Sequence, residues 1–356
     1  MVRSLVRCEV VVVVSATKGE GQFMTQSRNP MILAWSVVAI FLVVDVIWLQ
    51  FGKLTFAPGT FVLILRTVAI ASVAYLATIA VANRLRSDQS VLGRSISVIA
   101  DGTKLLLQAA AFIIASGITG VTFSYLSASL GLPLRDAELA AIDKAIGFDW
   151  PAFLAFANQS HILSWALSAA YHSAAPQLVL LILFLGFTRQ REPLAKFLAV
   201  LAMSDLMTGV VVTLVPAEGA YAYYQPARDL FSQYTANAGV WHREVFTSLR
   251  NDAAPILDFT RVQGLVTFPS FHTTLAIITA WAVRDVRYIA IPAMLLNAAV
   301  ILSTLPEGGH HLIDLFGGGI IAAVAILTVQ IYMSTYERGN AAVDGVAFIE
   351  NPLERL

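Results

Sequence analysis

Six histidines are spread over 356 residues, and three of them fall in two short polar islands among apolar runs. The first island is Thr267-Phe268-Pro269-Ser270-Phe271-His272-Thr273-Thr274; the second is Gly308-Gly309-His310-His311-Leu312-Ile313-Asp314. His310 and Asp314 are spaced i, i+4 at the start of a helical segment, which sets them on one side, one turn apart. A carboxylate beside an imidazole fixes its tautomer and stabilises its protonated form, so the pair suits a nucleophile or a base. His272 and His310 lie 38 residues apart. Two bilayer crossings of about 20 residues each would return the chain to the same face. Both islands also open helices, with Ser270 as an N-cap behind Pro269. Backbone amides and the positive end of the helix dipole suit an anion there, and Gly308 and Gly309 let backbone approach a ligand closely. Two helix N-termini, two histidines and one aspartate read as a phosphate site.

The elements that must position these residues are membrane helices. Charged side chains make up 13% of the chain and the hydrophobic set 57%, with a mean hydropathy of +0.72; a typical soluble domain carries about 25% charged residues. That composition excludes a disordered chain, a fibre or a disulfide-stapled miniprotein, and argues against an ordinary soluble enzyme. Eight apolar segments are expected to span: 31–50, 60–82, 105–127, 161–187, 194–216, 269–284, 286–305 and 311–333. The fold class expected is therefore an all-α polytopic membrane protein of about eight transmembrane helices. Lys plus Arg and Asp plus Glu each total 23, so no basic excess calls for nucleic acid. The single cysteine, Cys8, allows no internal disulfide.

With the N-terminus inside, 15 Lys and Arg fall on inner segments and 7 on outer ones. This obeys the positive-inside rule. It puts both termini in the cytoplasm and the islands on the outer face. Residues 1–30 are read as a disordered cytoplasmic tail, or as an extension ahead of a true start at Met24 or Met31; residues 334–356 form a second cytoplasmic tail. In the loop 128–160 the amphipathic stretch Leu134–Ala145 is expected along the membrane surface, with Trp150 at headgroup level. Asp45 and Arg66 are expected to form an ion pair between the first two helices. Asp205 either lines the site cavity or hydrogen-bonds within the bundle. His172 is balanced between an interhelical hydrogen bond and a place in a lipid pocket, His161 and His242 are read as surface residues, and His311 as a neighbour of the site. The glycines at 317–319 are read as packing positions.

The residues resemble a known family. Pro269-Ser270-Phe271-His272 is similar to the P-S-x-H motif, and Gly309-His310 with Asp314 to the H-x-x-x-D motif, of the type 2 phosphatidic acid phosphatase (PAP2) superfamily. The variant Phe268-Pro269-Ser270-Phe271-His272 most resembles its inositol phosphorylceramide synthase branch, an inositolphosphotransferase group. The resemblance implies a six-helix catalytic core over residues 100–333, with residues 31–99 as two accessory helices. It also implies that His310 attacks phosphorus, Asp314 orients it and His272 protonates the leaving oxygen. Two departures stand out: Ser303-Thr304 holds Thr304 where the family's phosphatase pattern has arginine, and no lysine follows Lys196. Arg250 and Arg261, the nearest arginines upstream of the first island, are the candidates to meet phosphate charge, with Ser270 and Gly309 beside them.

The function expected is a lipid phosphatase or phosphotransferase acting on a phospholipid or lipid phosphate through a phosphohistidine, in a bacterial inner or plasma membrane with the site on the extracytoplasmic face. The alternative is a phospho-headgroup transferase with a lipid-alcohol acceptor; a second alternative is a non-catalytic transporter or scaffold. No cofactor is implied. A metal held by His272, His310, His311 and Asp314 is the rival chemistry, and the reading taken is that no metal is required.

Overall fold

The computed structural model describes residues 29–347 except Arg86 and Gln89. The expected N-terminal tail up to Arg28, with Cys8, and the end of the expected C-terminal tail lie outside the described residues. In chain order the helices are α1 (Pro30–Phe51), α2 (Thr60–Arg84), α3 (Val91–Ser129), α4 (Asp136–Ala145), α5 (Trp150–Asn158), α6 (His161–Phe187), α7 (Arg191–Leu214), α8 (Ala220–Tyr224), α9 (Arg243–Asn251), α10 (Phe271–Ala282), α11 (Ala290–Ser303) and α12 (Leu312–Ala347). A 3₁₀ turn covers Arg228–Phe231, and two short strands, β1 (Thr55–Phe56) and β2 (Ile256–Leu257), pair in parallel.

All eight apolar segments fold as helices. Six are long and apolar enough to cross a membrane: α1, α2, α3, α6, α7 and Leu312–Ser334 of α12; α10 and α11 are shorter apolar helices. The protein is an all-α polytopic membrane protein. Side-chain caps start many of its helices. Asn29 accepts the Met31 amide ahead of Pro30, and Ser90, Asp149, Ser160 and Ser270 likewise cap α3, α5, α6 and α10. Each cap satisfies an amide that has no carbonyl of its own helix to donate to.

Helix α7 is the centre of the bundle. It packs against α1, α3, α6, α10 and α12, with Phe197, Leu198, Ala199, Val200 and Ala202 buried in the main core. Helix α1 adds Ala34, Val37 and Phe41 to that core. By contrast α2 packs against α3 and buries only Thr60, leaving Phe61, Leu65, Ile70 and Val73 exposed. Apolar surface on this scale matches lipid rather than water.

Chain alternation and loop contacts gather the connections 52–59, 130–160, 215–270 and 304–311 on one face. There β1 meets β2, α9 packs on α3, and α4 packs on α8 and α12. The connections 85–90, 188–190 and 283–289 lie at the opposite end.

Three expectations change. Arg66 is exposed on α2, whereas Asp45 is buried on α1 against α3 and α7, so the two do not pair. Trp150 is fully buried rather than turned to the headgroups, because its Nε1 donates to the His310 carbonyl beside the start of α12, where α4 also packs. And α12 continues past residue 333 to Ala347.

Candidate active site

The two islands meet where α10 starts beside α12. The Ser270 amide donates to the Asp314 carbonyl (2.9 Å), and Thr274 Oγ1 donates to the Gly318 carbonyl (2.9 Å). A side chain at Gly318 would overlap the Ser270 carbonyl, and one at Gly317 would press on Pro269. These glycines let the first turn of α10 sit against α12, as small residues do between membrane helices.

His310 is held from several sides. Its Nδ1 lies 3.1 Å from Asp314 Oδ2, which also accepts the His311 amide (2.9 Å). The His310 amide donates to the Thr304 carbonyl (3.1 Å), and the His310 carbonyl accepts from Trp150 Nε1 (3.0 Å). Trp150 is in turn stacked on Tyr224 at 5.3 Å and edge-on to Tyr221 at 4.9 Å. With Nδ1 engaged, Nε2 is the ring nitrogen left for chemistry. Burial pushes the basicity of His310 down to about 4, with the Thr267 carbonyl acting in the opposite direction.

His272 and His310 line one cavity of about 530 Å³. The His272 ring stacks on Tyr171 with centroids 4.4 Å apart and planes at 22°, which fixes its orientation. His172, Trp241 and His242 line the same cavity near the loop face, and Ser116, Asp205 and Thr208 line it deeper in the bundle. Ser116 and Tyr125, both on its wall, are separated along α3 by about 13 Å at 1.5 Å per residue. Ser116 Oγ donates to Asp205 Oδ2 (3.2 Å), and Thr208 Oγ1 is buried without a hydrogen-bond partner. Asp205 thus both lines the cavity and bonds within the bundle.

The phosphate-binding candidates are placed differently. Ser270 is fully buried, its Oγ spent on the Thr273 amide (3.3 Å) and hydroxyl (3.1 Å). Gly309, at φ +72°, packs on chain rather than ligand: an added Cβ would lie 2.6 Å from Gly239 Cα. Arg250 Nη2 donates to the Leu132 carbonyl (2.7 Å), and its guanidinium lies over Phe246. Arg261 is exposed. None of these four is on the cavity wall, and among the described residues no lysine or arginine is.

The N-terminus of α12 is also filled. Asp143 of α4 accepts the Leu312 (2.7 Å) and Ile313 (2.9 Å) amides, so a carboxylate of the chain itself takes the place expected for phosphate. The first amides of α10, Phe271 and His272, remain beside the cavity, and neither can bond within its own helix.

Other histidines divide clearly. His161 is exposed and lies 3.1 Å from Gln233 Oε1. His242 is buried rather than on the surface, because its Nε2 reaches the Glu218 carbonyl (3.0 Å), and burial lowers its basicity. His311 is fully buried, 3.6 Å from Asp136 and 3.8 Å from Asp143, and is not on the cavity wall. Among the described residues, no three His, Cys, Asp or Glu side chains are grouped so as to hold a metal ion.

Asp136, Asp143 and Glu307 were not singled out from the sequence, and Trp150 was read only as a headgroup-level residue. A signal existed for two of them. Asp136, Leu139, Ala140 and Asp143 follow i, i+3, i+4, i+7 spacing and form the buried stripe of α4, so both aspartates lie on its inward face.

The model of the PAP2 superfamily matches residues 137–328, from α4 to well inside α12. No curated protein and no solved structure gives a match. Since that stretch is more than half of the chain and carries the helices that bring His272 to His310 and Asp314, the protein belongs to the PAP2 superfamily.

Proposed function

We propose that this integral membrane protein is a lipid phosphatase or phosphotransferase that works through a phosphohistidine. The observation that carries the reading is the single cavity lined by both His272 and His310, with His310 Nδ1 held 3.1 Å from Asp314. In the first step His310 Nε2 attacks phosphorus. A P–N bond forms, the P–O bond to the leaving group breaks, and His272 gives its proton to the departing oxygen. In the second step water or an alcohol attacks the same phosphorus and the P–N bond breaks. His272 takes the proton back. Splitting one displacement into two is the gain of covalent catalysis, and the α10 amides are placed to stabilise charge on the phosphoryl oxygens.

The substrate class is a phospholipid or lipid phosphate, reached from the bilayer. The Lys/Arg bias supports an extracytoplasmic site. The headgroup-transferase form of the reading, of inositol phosphorylceramide synthase type, is favoured by the deep end of the cavity. There Ser116, Asp205 and Thr208 offer hydroxyl and carboxyl groups to an alcohol acceptor.

The test is trapping. Purified protein is mixed with phosphorus-labelled phosphatidic acid or phosphatidylinositol, quenched, and examined for acid-labile, base-stable label. His310→Ala is expected to abolish the label, and His272→Ala to slow its formation by roughly 10²–10⁴. Turnover that survives His310→Ala overturns the reading. A wild-type protein that never labels or turns over lipid would instead be a transporter or scaffold. Release of phosphate without acceptor separates phosphatase from transferase.

A further inference from the structure

A cavity built to hold a phosphorylated group needs positive charge or strong donors on its wall, yet among the described residues no lysine or arginine lines this one. Three nearby arginines are engaged elsewhere, and Arg261 is exposed and off the cavity wall. Arg243 pairs with Glu218 (2.9 Å), Arg228 donates to the carbonyls of Tyr234 and Thr235, and Arg250 donates to that of Leu132. What the cavity has instead is His172, a further histidine with its own carboxylate. His172 Nε2 lies 3.3 Å from Glu307 Oε1. The carboxyl of Glu307 is fully buried while the His172 side chain is 49% exposed, so the carboxylate backs a ring that still reaches the open space.

Glu307 is fixed for this task. Oε1 accepts from Thr235 Oγ1 (2.5 Å), and the Glu307 carbonyl accepts the Gly239 amide (2.8 Å). Its Oε2 is buried without a hydrogen-bond partner. A carboxylate kept only for packing would be an expensive group to bury half-satisfied; here it faces an imidazole, a partner it can hold in place by a hydrogen bond. His172 is set next to Tyr171, whose ring stacks on His272, and Trp241 stands edge-on to it at 6.1 Å. Glu307, Tyr171, Trp241 and, behind Tyr171, His272 are therefore the groups that surround it.

We propose that the His172–Glu307 pair is the anion-binding element of the cavity, holding a phosphoryl oxygen where basic side chains are missing. In the protonated ring Nε2–H points to Glu307 and Nδ1–H is left for the ligand. The inference rests on the phosphoryl-transfer reading of the cavity, and its test separates the two.

Orthovanadate serves as the probe, with binding to the full-length protein in detergent followed by tryptophan fluorescence and calorimetry. His172→Gln keeps a donor but removes the charge and is expected to weaken binding about ten- to a hundred-fold, the range for a lost charge-assisted hydrogen bond. His172→Arg is expected to restore much of it, and Glu307→Gln to weaken it in the same direction. In turnover of a labelled phospholipid the His172→Gln loss is expected to fall mainly on KM, with the phosphohistidine still formed. Binding by His172→Gln within twofold of wild type overturns the inference, as does a His172→Arg protein no better than His172→Gln. Absence of phosphohistidine in the wild type would instead overturn the catalytic reading, while vanadate binding dependent on His172 would still stand.

Discussion

At the scale of residues, the His310–Asp314 pair separates orientation from basicity. The carboxylate fixes which nitrogen faces the cavity, while burial sets how readily the ring is protonated. Asp314→Asn keeps the volume but removes the charge that selects the tautomer. It is expected to lower kcat by roughly 10²–10⁴ with little change in KM, as pre-steady-state labelling would resolve. The pH dependence follows from the lowered basicity of His310. Attack needs the neutral ring, and a ring whose basicity is pushed down to about 4 stays neutral far below the ordinary histidine value. The acid limb of kcat/KM is therefore expected well below pH 6, and an acid limb at 6.5 or above would contradict the burial argument. Stability carries the same sign: His310 and His242 both resist protonation when folded, so the unfolded chain binds more protons as pH falls from about 6.5. Acid should lower the melting temperature, and His310→Gln should blunt that loss. His272, His310 and Asp314 were legible in the sequence because their message is local: a helix period and a crossing length. The His172–Glu307 pair was not, since it joins α6 to the turn before α12, and only the packing of α6 against α10 and α11 brings the two together.

At the scale of elements, the segment before α6 acts as a clamp. Its amphipathic pattern showed that α4 has an apolar side, but periodicity does not say what that side faces. In the fold it faces the start of α12, where Asp143 caps two amides and Trp150 bonds the carbonyl of His310. Both contacts bear on the backbone that carries His310, the proposed nucleophile. Asp143→Ala removes a carboxylate from a helix N-terminus and two charge-assisted hydrogen bonds. It is expected to cost about 2 kcal/mol and to raise hydrogen exchange in the first turn of α12. Trp150→Phe keeps most of the ring packing and loses one hydrogen bond, about 1 kcal/mol; its effect should appear more in kcat than in melting temperature. Equal behaviour of the two variants would show that the clamp contributes packing alone. The anion site expected at the mouth of α12 was misread for a related reason: a helix N-terminus favours negative charge from any source, and here α4 supplies it.

At the scale of the whole molecule, the eight apolar segments were readable because a bilayer demands some 20 apolar residues per helix crossing and tolerates few charges. Their arrangement was not, since hydropathy is blind to neighbours: α1 enters the core beside α7 and lends Phe41 to the cavity wall, whereas α2 stays at the rim. The bundle puts every connection near the cavity at one end. Lys53 stands at that end in the loop before β1, and Asp285 stands at the other between α10 and α11; both are exposed. Replacing Cys8, the sole native cysteine, by serine gives a background for single-cysteine labelling with a membrane-impermeant maleimide. Because the Lys/Arg bias favours the cavity end as the outer one, Lys53→Cys should label in intact cells and Asp285→Cys only after permeabilisation. The reverse pattern would move the site to the cytoplasmic leaflet. The contacts within the bundle would be untouched by that outcome, but the lipid that reaches His272 and His310 would then be drawn from the inner leaflet, and its acceptor from the cytoplasmic side.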